Sequence, residues 1–295
     1  MNGDAILPAI RARLDAALAA PHPRYRPWRV DGVTIGCIDD ARVRRLARFP
    51  DVFVVTDGEV AFRPTIATVA ARSDAMAHVA RVLRSDGELP AWRDELYAIG
   101  SSFDAPMAFA LERGAARWFG VRTYAAHVNG YVDDHASARL WFARRSATKA
   151  IDPGMLDNLV GGGIAAGATV RDTVIREAWE EAGIPADVAR KVQAHGTVRV
   201  RRALPEGLQD ETVFIHDLAL DAAFVPANQD GEAVEHRCVD LVAAAALIAT
   251  TEGADVVTVD ASLVTLDFLL RRGVFSPAAT ARDRAAHGGS ASTDA

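Results

Sequence analysis

Three glutamates near the end of one helix-like segment have the spacing of a metal site. Glu177, Glu180 and Glu181 are spaced i, i+3 and i+4, so on a helix they share one face. Like charges at this spacing cost an isolated helix about 0.2–0.5 kcal/mol per pair, so a cation or solvent must compensate them. A hard divalent ion such as magnesium takes oxygen ligands and bridges carboxylates to substrate phosphates. The spacing therefore predicts a metal site suited to phosphate chemistry.

The residues around these glutamates predict a strand, a glycine loop and a helix with defined ends. Thr169 and Asp172 form a capping pattern at the start of the helix, and Gly183 followed by Pro185 is typical of its end. The glycines at 161–163 let the backbone approach a metal and a phosphate where side chains would obstruct it. The opposite side of the helix is apolar and can pack into a core.

A helix with three glutamates is more often a solvated surface than a metal site. The joint pattern favours the metal site, because it resembles the signature of the Nudix hydrolase superfamily. That signature runs Gly, five residues, Glu, seven residues, Arg-Glu, an apolar residue, any residue, Glu-Glu, any residue, Gly and an apolar residue. The matching positions are Gly162, Arg176, Glu177, Glu180, Glu181, Gly183 and Ile184. Two positions depart from it: Ala168 replaces the first glutamate, and the apolar position after Glu177 holds only Ala178.

The resemblance implies a fold and a set of ligands. The fold is an α-β-α sandwich in which a mixed β-sheet carries the Nudix helix. Carboxylates and one backbone carbonyl would hold Mg²⁺, or alternatively Mn²⁺, at Gly162, Glu177, Glu180 and Glu181. Arg176 would orient the carboxylates through salt bridges, and Glu177 and Glu181 would take part in catalysis. In such enzymes water attacks a phosphorus of the diphosphate, the metal polarises the phosphoryl oxygens and a glutamate accepts the proton.

A later acidic turn offers further carboxylates. Residues 228–236 contain Glu232 and Glu235 beside Gly231. Because the base or an extra ligand in Nudix enzymes often comes from a later loop, we predict Glu232 as a metal ligand and Glu235 as a catalytic residue. The alternative is an exposed acidic turn, since Asp-Gly-Glu is a common turn composition. Asp172 is the candidate to replace the charge missing at Ala168.

Longer stretches resemble a narrower Nudix group, related to the hydrolase part of fungal thiamine pyrophosphokinase and its plant and yeast homologues. These stretches are residues 49–58, 92–97, 127–132, 140–155 and 156–167. The group implies a diphosphatase that converts oxidised thiamine diphosphate analogues, such as oxothiamine and oxythiamine diphosphate, to the monophosphate and phosphate. Three cations before the signature would bind the phosphate oxygens of the substrate, with a solvated strand end as the alternative: Arg144, Arg145 and Lys149.

Composition excludes several classes of protein. The chain has 295 residues, half of them apolar, which predicts two domains with substantial cores. A net charge of -6 without basic clusters argues against nucleic-acid binding. Cys37 and Cys238 are far apart, so we expect no disulfide framework and a reducing compartment. The apolar run at 241–249 is too short to cross a bilayer and the N-terminus is too charged for a secretory signal, so we expect a cytoplasmic protein.

The order of predicted elements divides the chain into two domains and a tail. Residues 1–118 predict a smaller α+β domain, residues 119–275 the Nudix hydrolase domain, and residues 276–295 a disordered tail, because the tail is small and polar. The other predicted elements are a helix at 40–49, a hairpin at 52–62, a helix at 73–87 capped by Ser73, a hairpin from 122–132 and 139–146, and a closing helix at 262–273.

Two rival functions remain open from the sequence. The signature encodes the chemistry and not the leaving group, so a nucleoside-diphosphate-type substrate such as ADP-ribose is one alternative. A non-catalytic binding protein with a Nudix fold is the other, favoured by Ala168 and disfavoured by the three retained glutamates. We expect a small-molecule diphosphate as the partner, with neither nucleic acid nor membrane, and leave a homodimer open.

Overall fold

The computed structural model describes residues 3–19, 24–134 and 137–286. The helices are α1 (Leu7–Leu18), α2 (Asp40–Leu46), α3 (Val69–Ser85), α4 (Ala116–Phe119), α5 (Val170–Ala182), α6 (Ala186–Ala189), α7 (Leu241–Ala249), α8 (Val259–Arg271) and α9 (Pro277–Ala286). The strands are β1 (Tyr25–Val30), β2 (Val33–Asp39), β3 (Phe53–Val55), β4 (Val60–Phe62), β5 (Leu96–Ile99), β6 (Phe109–Glu112), β7 (Arg122–Asp134), β8 (Ser137–Arg145), β9 (Leu156–Asn158), β10 (Val160–Gly163), β11 (Gln193–Leu204), β12 (Gly207–Ala219) and β13 (Ala233–Asp240). Positions 135 and 136 of the predicted 122–146 hairpin and residues 287–295 of the predicted tail lie outside the described residues.

The N-terminal domain is built on a four-stranded sheet in the order β2-β1-β4-β3. Strands β1 and β2 form a hairpin whose turn residues Asp31 and Gly32 both have positive φ, as the tight turns of hairpins require. Strands β3 and β4 pair antiparallel, which confirms the hairpin predicted at 52–62. Trp28 is fully buried at the centre of an aromatic core formed with Phe53, Phe62, Phe109 and Phe119.

Helix α3 confirms the helix predicted at 73–87, although it begins four residues earlier than predicted. The cap is Thr68, whose side chain accepts a hydrogen bond from the backbone N–H of Ala71, so the prediction of Ser73 as the cap is wrong. The hydroxyl of Ser73 instead donates to the carbonyl of Val69 and accepts from the N–H of Ala110. Ser73 thereby joins α3 to β6, a tertiary contact that the local sequence does not show.

The C-terminal domain is an α-β-α sandwich around a mixed sheet, as predicted. The main strand order is β11-β12-β7-β8-β13, while β10 pairs with β7 and β9 pairs with β8. Strands β7 and β12 are parallel, and the other pairs are antiparallel. Helix α5 packs on one face through Val174 and Ala178, and helices α7 and α8 cover the other face. Strand β7 thus lies in the middle of the sheet, with α5 on one side and α8 on the other.

Helix α1 lies in the segment assigned to the N-terminal domain, yet it packs on the C-terminal sandwich. Its apolar residues Leu7, Ile10 and Leu14 are buried in the same core as α7 and α8. Arg13 donates hydrogen bonds to the carbonyls of Ile248 and Val257 and to the hydroxyl of Ser262. The chain therefore crosses from the C-terminal sandwich to the N-terminal sheet and back again.

The start of the predicted tail is helical, which differs from the disorder predicted for residues 276–295. Ser276 caps α9, since its hydroxyl accepts from the N–H of Ala279 and its carbonyl accepts from the N–H of Thr280. Its own N–H donates to the carboxylate of Asp4. This tertiary contact orders a segment whose composition alone favours disorder. In the part of the chain that the structure describes, no helix has the length and apolar character to cross a membrane.

Removing the side chain of Arg13 should destabilise the protein, because three acceptors would lose their donor. We expect Arg13→Met to lower the free energy of unfolding by about 2–3 kcal/mol, since a hydrogen bond from a charged group contributes about 1.5–3 kcal/mol. Arg81 is exposed on α3, and we expect the control Arg81→Met to stay within about 0.5 kcal/mol of the parent. Urea denaturation measures both variants, and an Arg13 variant as stable as the control would contradict this account of α1.

Candidate active site

A cavity of about 800 Å³ lies between the two domains. One wall comes from the N-terminal domain, at residues 88–97 and 113–117. The facing wall comes from the C-terminal domain, with the glycines of β10 and one face of α5. A volume of this size is within the usual range for small-molecule sites. Most of the residues that the sequence marks as functional line this one space.

Helix α5 places the glutamates at a fixed end of the cavity. The hydroxyl of Thr169 accepts from the N–H of Asp172, and Gly183 ends the helix in the left-handed conformation with φ of 65°. Both caps agree with the sequence prediction. Asp172 itself is exposed and bonded to Thr169, outside the residues that line the cavity, so it does not replace the glutamate missing at Ala168.

Glu177 lies against the backbone of Gly162. A Cβ atom at position 162 would fall 2.0 Å from Oε1 of Glu177, so only glycine allows this approach. The guanidinium of Arg176 lies 2.7 Å from Glu177 Oε1 and 2.9 Å from Glu180 Oε2. Arg176 therefore joins two of the three glutamates, which is the contact that the resemblance implies.

Glu181 is the most deeply placed carboxylate of the set. It is 7% exposed and accepts a hydrogen bond of 2.8 Å from the N–H of Gly161. Burial, and then the charge of Glu177, raise its pKa to about 8. Burial also raises the pKa of Glu177. Two buried carboxylates that disfavour their charged forms are stabilised by a shared cation, so these residues fit a divalent metal.

The three glutamates form hydrogen bonds and ion pairs with other protein groups, and their carboxylates do not converge on one position. Among the described residues, no three His, Cys, Asp or Glu side chains already converge as a ligand set. Glu177 and Glu180 contact Arg176, and Glu181 contacts Gly161. A metal at this site would compete with Arg176 for its carboxylates.

Two of the three cations predicted for phosphate binding line the cavity. Arg145 lies 2.8 Å from Oδ2 of Asp157 and also donates to the carbonyl of Ile151. Lys149 forms an ion pair with Glu232, and burial lowers the pKa of Lys149 while Glu181 opposes that shift. Glu232, for which we predict a role as a metal ligand, therefore lines the cavity as the partner of a lysine.

Arg144 and Glu235 lie on the other face of the sheet, so the structure does not bring these two predicted site residues to the cavity. Successive side chains of a strand point to opposite faces, and Arg144 therefore faces away from Arg145. Glu235 pairs with Arg144 in the register of β13 and β8, and their side chains are 2.5 Å apart. Arg144 also binds Asp255 at 2.7 Å. Hydrogen bonds from Arg237 and then Arg144 lower the pKa of Asp255 to about 2, as expected for a closed ion-pair cluster.

The sequence reasoning missed the wall that the N-terminal domain supplies. Tyr97 lies against Gly163, where a Cβ atom would fall 2.0 Å from its hydroxyl oxygen. Arg113 forms a 2.6 Å ion pair with Glu95, and its guanidinium lies over the ring of Tyr97. The only signal was segment 92–97, which resembles the narrower Nudix group but carries no recognisable chemistry. Its role depends on contacts between domains.

Beneath the glycines, a buried polar chain supports the cavity floor. His127 Nδ1 lies 2.9 Å from Asn158 Oδ1, Asn158 donates to Asn129 and Asn129 donates to Asp217. These contacts make His127 and Asn129 structural polar residues whose side chains have partners. The ring of His127 also lies directly against Gly161.

The end of the cavity away from α5 is rich in hydrogen-bond acceptors. Gln209 donates to both Glu211 and Asp260, and Thr123 donates to Glu211. Burial, and then the charge of Glu211, raise the pKa of Asp260 to about 6. The cavity thus joins an end with buried glutamates and cations to an end with acceptors.

Comparison with known proteins gives two family matches that divide the chain. Residues 12–123 match a domain of unknown function, DUF4743, and residues 123–258 match the NUDIX domain. The chain is 35% identical over 255 residues to Nudix hydrolase 24, chloroplastic, from Arabidopsis thaliana, covering 86% of this chain and 69% of that protein. It is 34% identical over 262 residues to Nudix hydrolase 20, chloroplastic, from the same plant, with the same two coverages. A solved structure of a C. elegans Ap4A hydrolase binary complex matches 52% of this chain and 99% of its own, at 13% identity and a TM-score of 0.38.

Without a metal, the burial of Glu181 beside Glu177 should make the stability of the protein fall as the pH rises. The pKa of Glu181 is 4.5 ordinarily and about 8 in the fold, so the folded state binds its proton more tightly. This stabilising contribution is fully present below pH 4.5 and is lost as the pH rises through about 8. Glu181→Gln has no such proton to lose. In EDTA, we expect the Tm of Glu181→Gln to increase relative to the Tm of the parent protein as the pH is raised from about 5 to about 8.5.

Differential scanning calorimetry with and without magnesium tests this expectation. Magnesium should raise the Tm of the parent more than that of Glu181→Gln at high pH, because the ion compensates the buried charge. Parallel Tm curves for the two proteins across the pH range in EDTA would contradict it.

Proposed function

Because the chain belongs to the Nudix hydrolase family, enzymes that act on diphosphate bonds, we propose that it uses magnesium to cleave small heterocyclic diphosphates, chiefly oxidised thiamine diphosphate analogues. The observation that carries the proposal is the meeting of two pairs at one cavity: Glu177 lines it and Glu181 is buried behind it, bonded to the lining residue Gly161, while the cations Arg145 and Lys149 line the same space. The first pair suits a divalent cation, and the second suits phosphate oxygens.

In this proposal the glutamates of α5 hold the metal. Glu177 and Glu181, with Glu180 beside them and the carbonyl of Gly162, are the ligands. When bound, the ion neutralises charge on phosphoryl oxygens and lowers the pKa of water. Arg176 keeps Glu177 and Glu180 in position through its two ion pairs. Burial raises the pKa of both glutamates, and a bound cation would offset this cost of their charged forms, which supports the assignment.

The cations opposite these glutamates hold the diphosphate. Arg145 and Lys149 donate charge-assisted hydrogen bonds to the phosphate oxygens, in partial exchange for their present partners Asp157 and Glu232. Water bonds to one phosphorus as the bridging P–O bond breaks, and the leaving oxygen keeps the electron pair. The proton of the water passes to a carboxylate of the cavity, and the products are the monophosphate and phosphate.

The acceptor-rich end of the cavity suits the heterocycle. Glu211 and Asp260 line this end and are placed to accept hydrogen bonds from a ring that carries an amino group. An aminopyrimidine such as that of oxothiamine has this donor. An adenine ring has it too, so the same end favours ADP-ribose as the second candidate substrate.

We also propose a two-part organisation and a location. The N-terminal domain forms the outer wall of the active site, and a small diphosphate is the partner. The cytoplasm remains our proposed compartment, and the two plant relatives are themselves named chloroplastic. Fractionation of cells that express the tagged chain tests this location.

A substrate panel tests the proposed specificity. With magnesium, we expect kcat/KM for oxothiamine diphosphate to exceed that for ADP-ribose by about 10-fold or more, which corresponds to about 1.4 kcal/mol of preference in the transition state. Chromatography of the products measures both reactions, because ADP-ribose yields two monophosphates. Faster turnover of ADP-ribose than of oxothiamine diphosphate would overturn the thiamine assignment and leave diphosphate hydrolysis intact.

Replacing Glu181 tests the metal assignment. Glu181→Gln is nearly isosteric but uncharged, and we expect magnesium-dependent hydrolysis to fall by more than about 100-fold, since even outer contacts of a metal are worth about 10- to 100-fold. Glu252→Gln, at an exposed position away from the cavity, is the matched control and should keep full activity. Circular dichroism checks that both variants are folded. Unchanged turnover in the Glu181 variant would refute the site.

A further inference from the structure

We propose that Arg93, on the N-terminal domain, is a phosphate-binding residue of the active site. The side chain lines the cavity between the domains and is exposed to it. The inference rests on the proposed diphosphate chemistry and adds a binding residue from outside the Nudix domain. It gives the N-terminal domain a direct part in substrate recognition.

Arg93 differs from the other cations of the cavity because its side chain has no ion-pair partner among the described residues. Five cations that line this space form ion pairs with protein carboxylates: Arg113, Arg117, Arg145, Lys149 and Arg176. Within the residues that the structure describes, the guanidinium of Arg93 makes neither a hydrogen bond nor an ion pair. Its five N–H donors are therefore available to a ligand.

The backbone holds Arg93 in a fixed position. Its N–H donates a 2.8 Å hydrogen bond to Glu112, which is buried. The neighbouring side chains of Trp92 and Asp94 are joined by a 2.6 Å hydrogen bond, and Asp94 has a φ of 56°. Positive φ at a residue other than glycine is uncommon and persists where the surroundings impose it. An unpaired arginine on a loop this constrained is preorganised for binding.

The same segment is attached to the loop of the Nudix signature. The N–H of Ala166 donates a 2.7 Å hydrogen bond to the carbonyl of Leu96, and Tyr97 packs against Gly163. Arg93 is therefore only a few residues from two direct contacts with the glycine loop. A phosphate held between the glycine loop and the facing wall would lie within the space that Arg93 lines.

The charges around Arg93 favour an anion. Burial by the cavity wall, and then the charges of Arg113 and Arg145, lower the pKa of Arg93, while Glu95 and Tyr97 oppose that shift. Three guanidinium groups close together repel one another, and an anion that binds among them relieves this repulsion. A planar guanidinium also matches the geometry of phosphate oxygens. The ligand expected here is a phosphate of the substrate.

The test measures binding and turnover separately. Calorimetric titration with imidodiphosphate and magnesium reports binding without hydrolysis. We expect Arg93→Gln to weaken this binding by about 10-fold or more and to raise KM with a smaller change in kcat, since the interaction is present before the reaction begins. Arg93→Lys should retain part of the affinity, because it keeps the charge but loses the planar fork. Arg81→Gln, on the same domain and outside the cavity, should match the parent.

The binding and turnover measurements distinguish a failure of the Arg93 inference from a failure of the proposed function. Binding by Arg93→Gln within 2-fold of the parent, or a parent that does not bind imidodiphosphate, would overturn the inference. If the parent hydrolyses no diphosphate of the panel while Arg93→Gln still loses imidodiphosphate binding, the proposed function fails and the phosphate site stands. Equal thermal stability of the Arg93 and Arg81 variants shows that the effect is not a loss of fold.

Discussion

The close packing of three side chains on three consecutive glycines is the constraint on which the site depends. His127 from β7 lies against Gly161, Glu177 from α5 lies against Gly162, and Tyr97 from β5 lies against Gly163. In each case a Cβ atom would fall within about 3 Å of the neighbouring group. The glycine strand is thus the point where the sheet, the Nudix helix and the N-terminal domain meet. Any side chain there would separate one of the three from the others.

This junction explains which parts of the site could be predicted from sequence. The face shared by Glu177, Glu180 and Glu181 follows from helical spacing, and both caps of α5 follow from residue type, so these predictions needed no tertiary information. The mixed sheet is implied by the resemblance alone. The hairpins follow from alternation and turn residues in the same way as the caps follow from residue type. Local physics decides these features because the interacting groups are close in sequence.

The predictions that failed depended on distant contacts. Arg144 and Arg145 are adjacent in sequence, and only the pairing of β8 with β13 decides that Arg144 meets Glu235 while Arg145 faces the cavity. Ser73 has the right chemistry for a cap, but its hydroxyl is used to bond β6. Helix α9 forms beside a contact between Ser276 and Asp4, at the other end of the chain. In each case the partner lies many residues away, and no periodicity in the sequence reveals it.

The polar chain beneath the glycines holds the floor of the cavity in place. From His127 through Asn158 and Asn129 to Asp217, every link is a hydrogen bond in the interior of the sandwich. Opening any link would leave a polar group without a partner in a medium of low dielectric. The floor of the cavity therefore has no low-energy local unfolding of its own and breaks only with the sheet. A diphosphate that entered the cavity would therefore meet a floor whose shape is already set, and its binding would not have to order that floor.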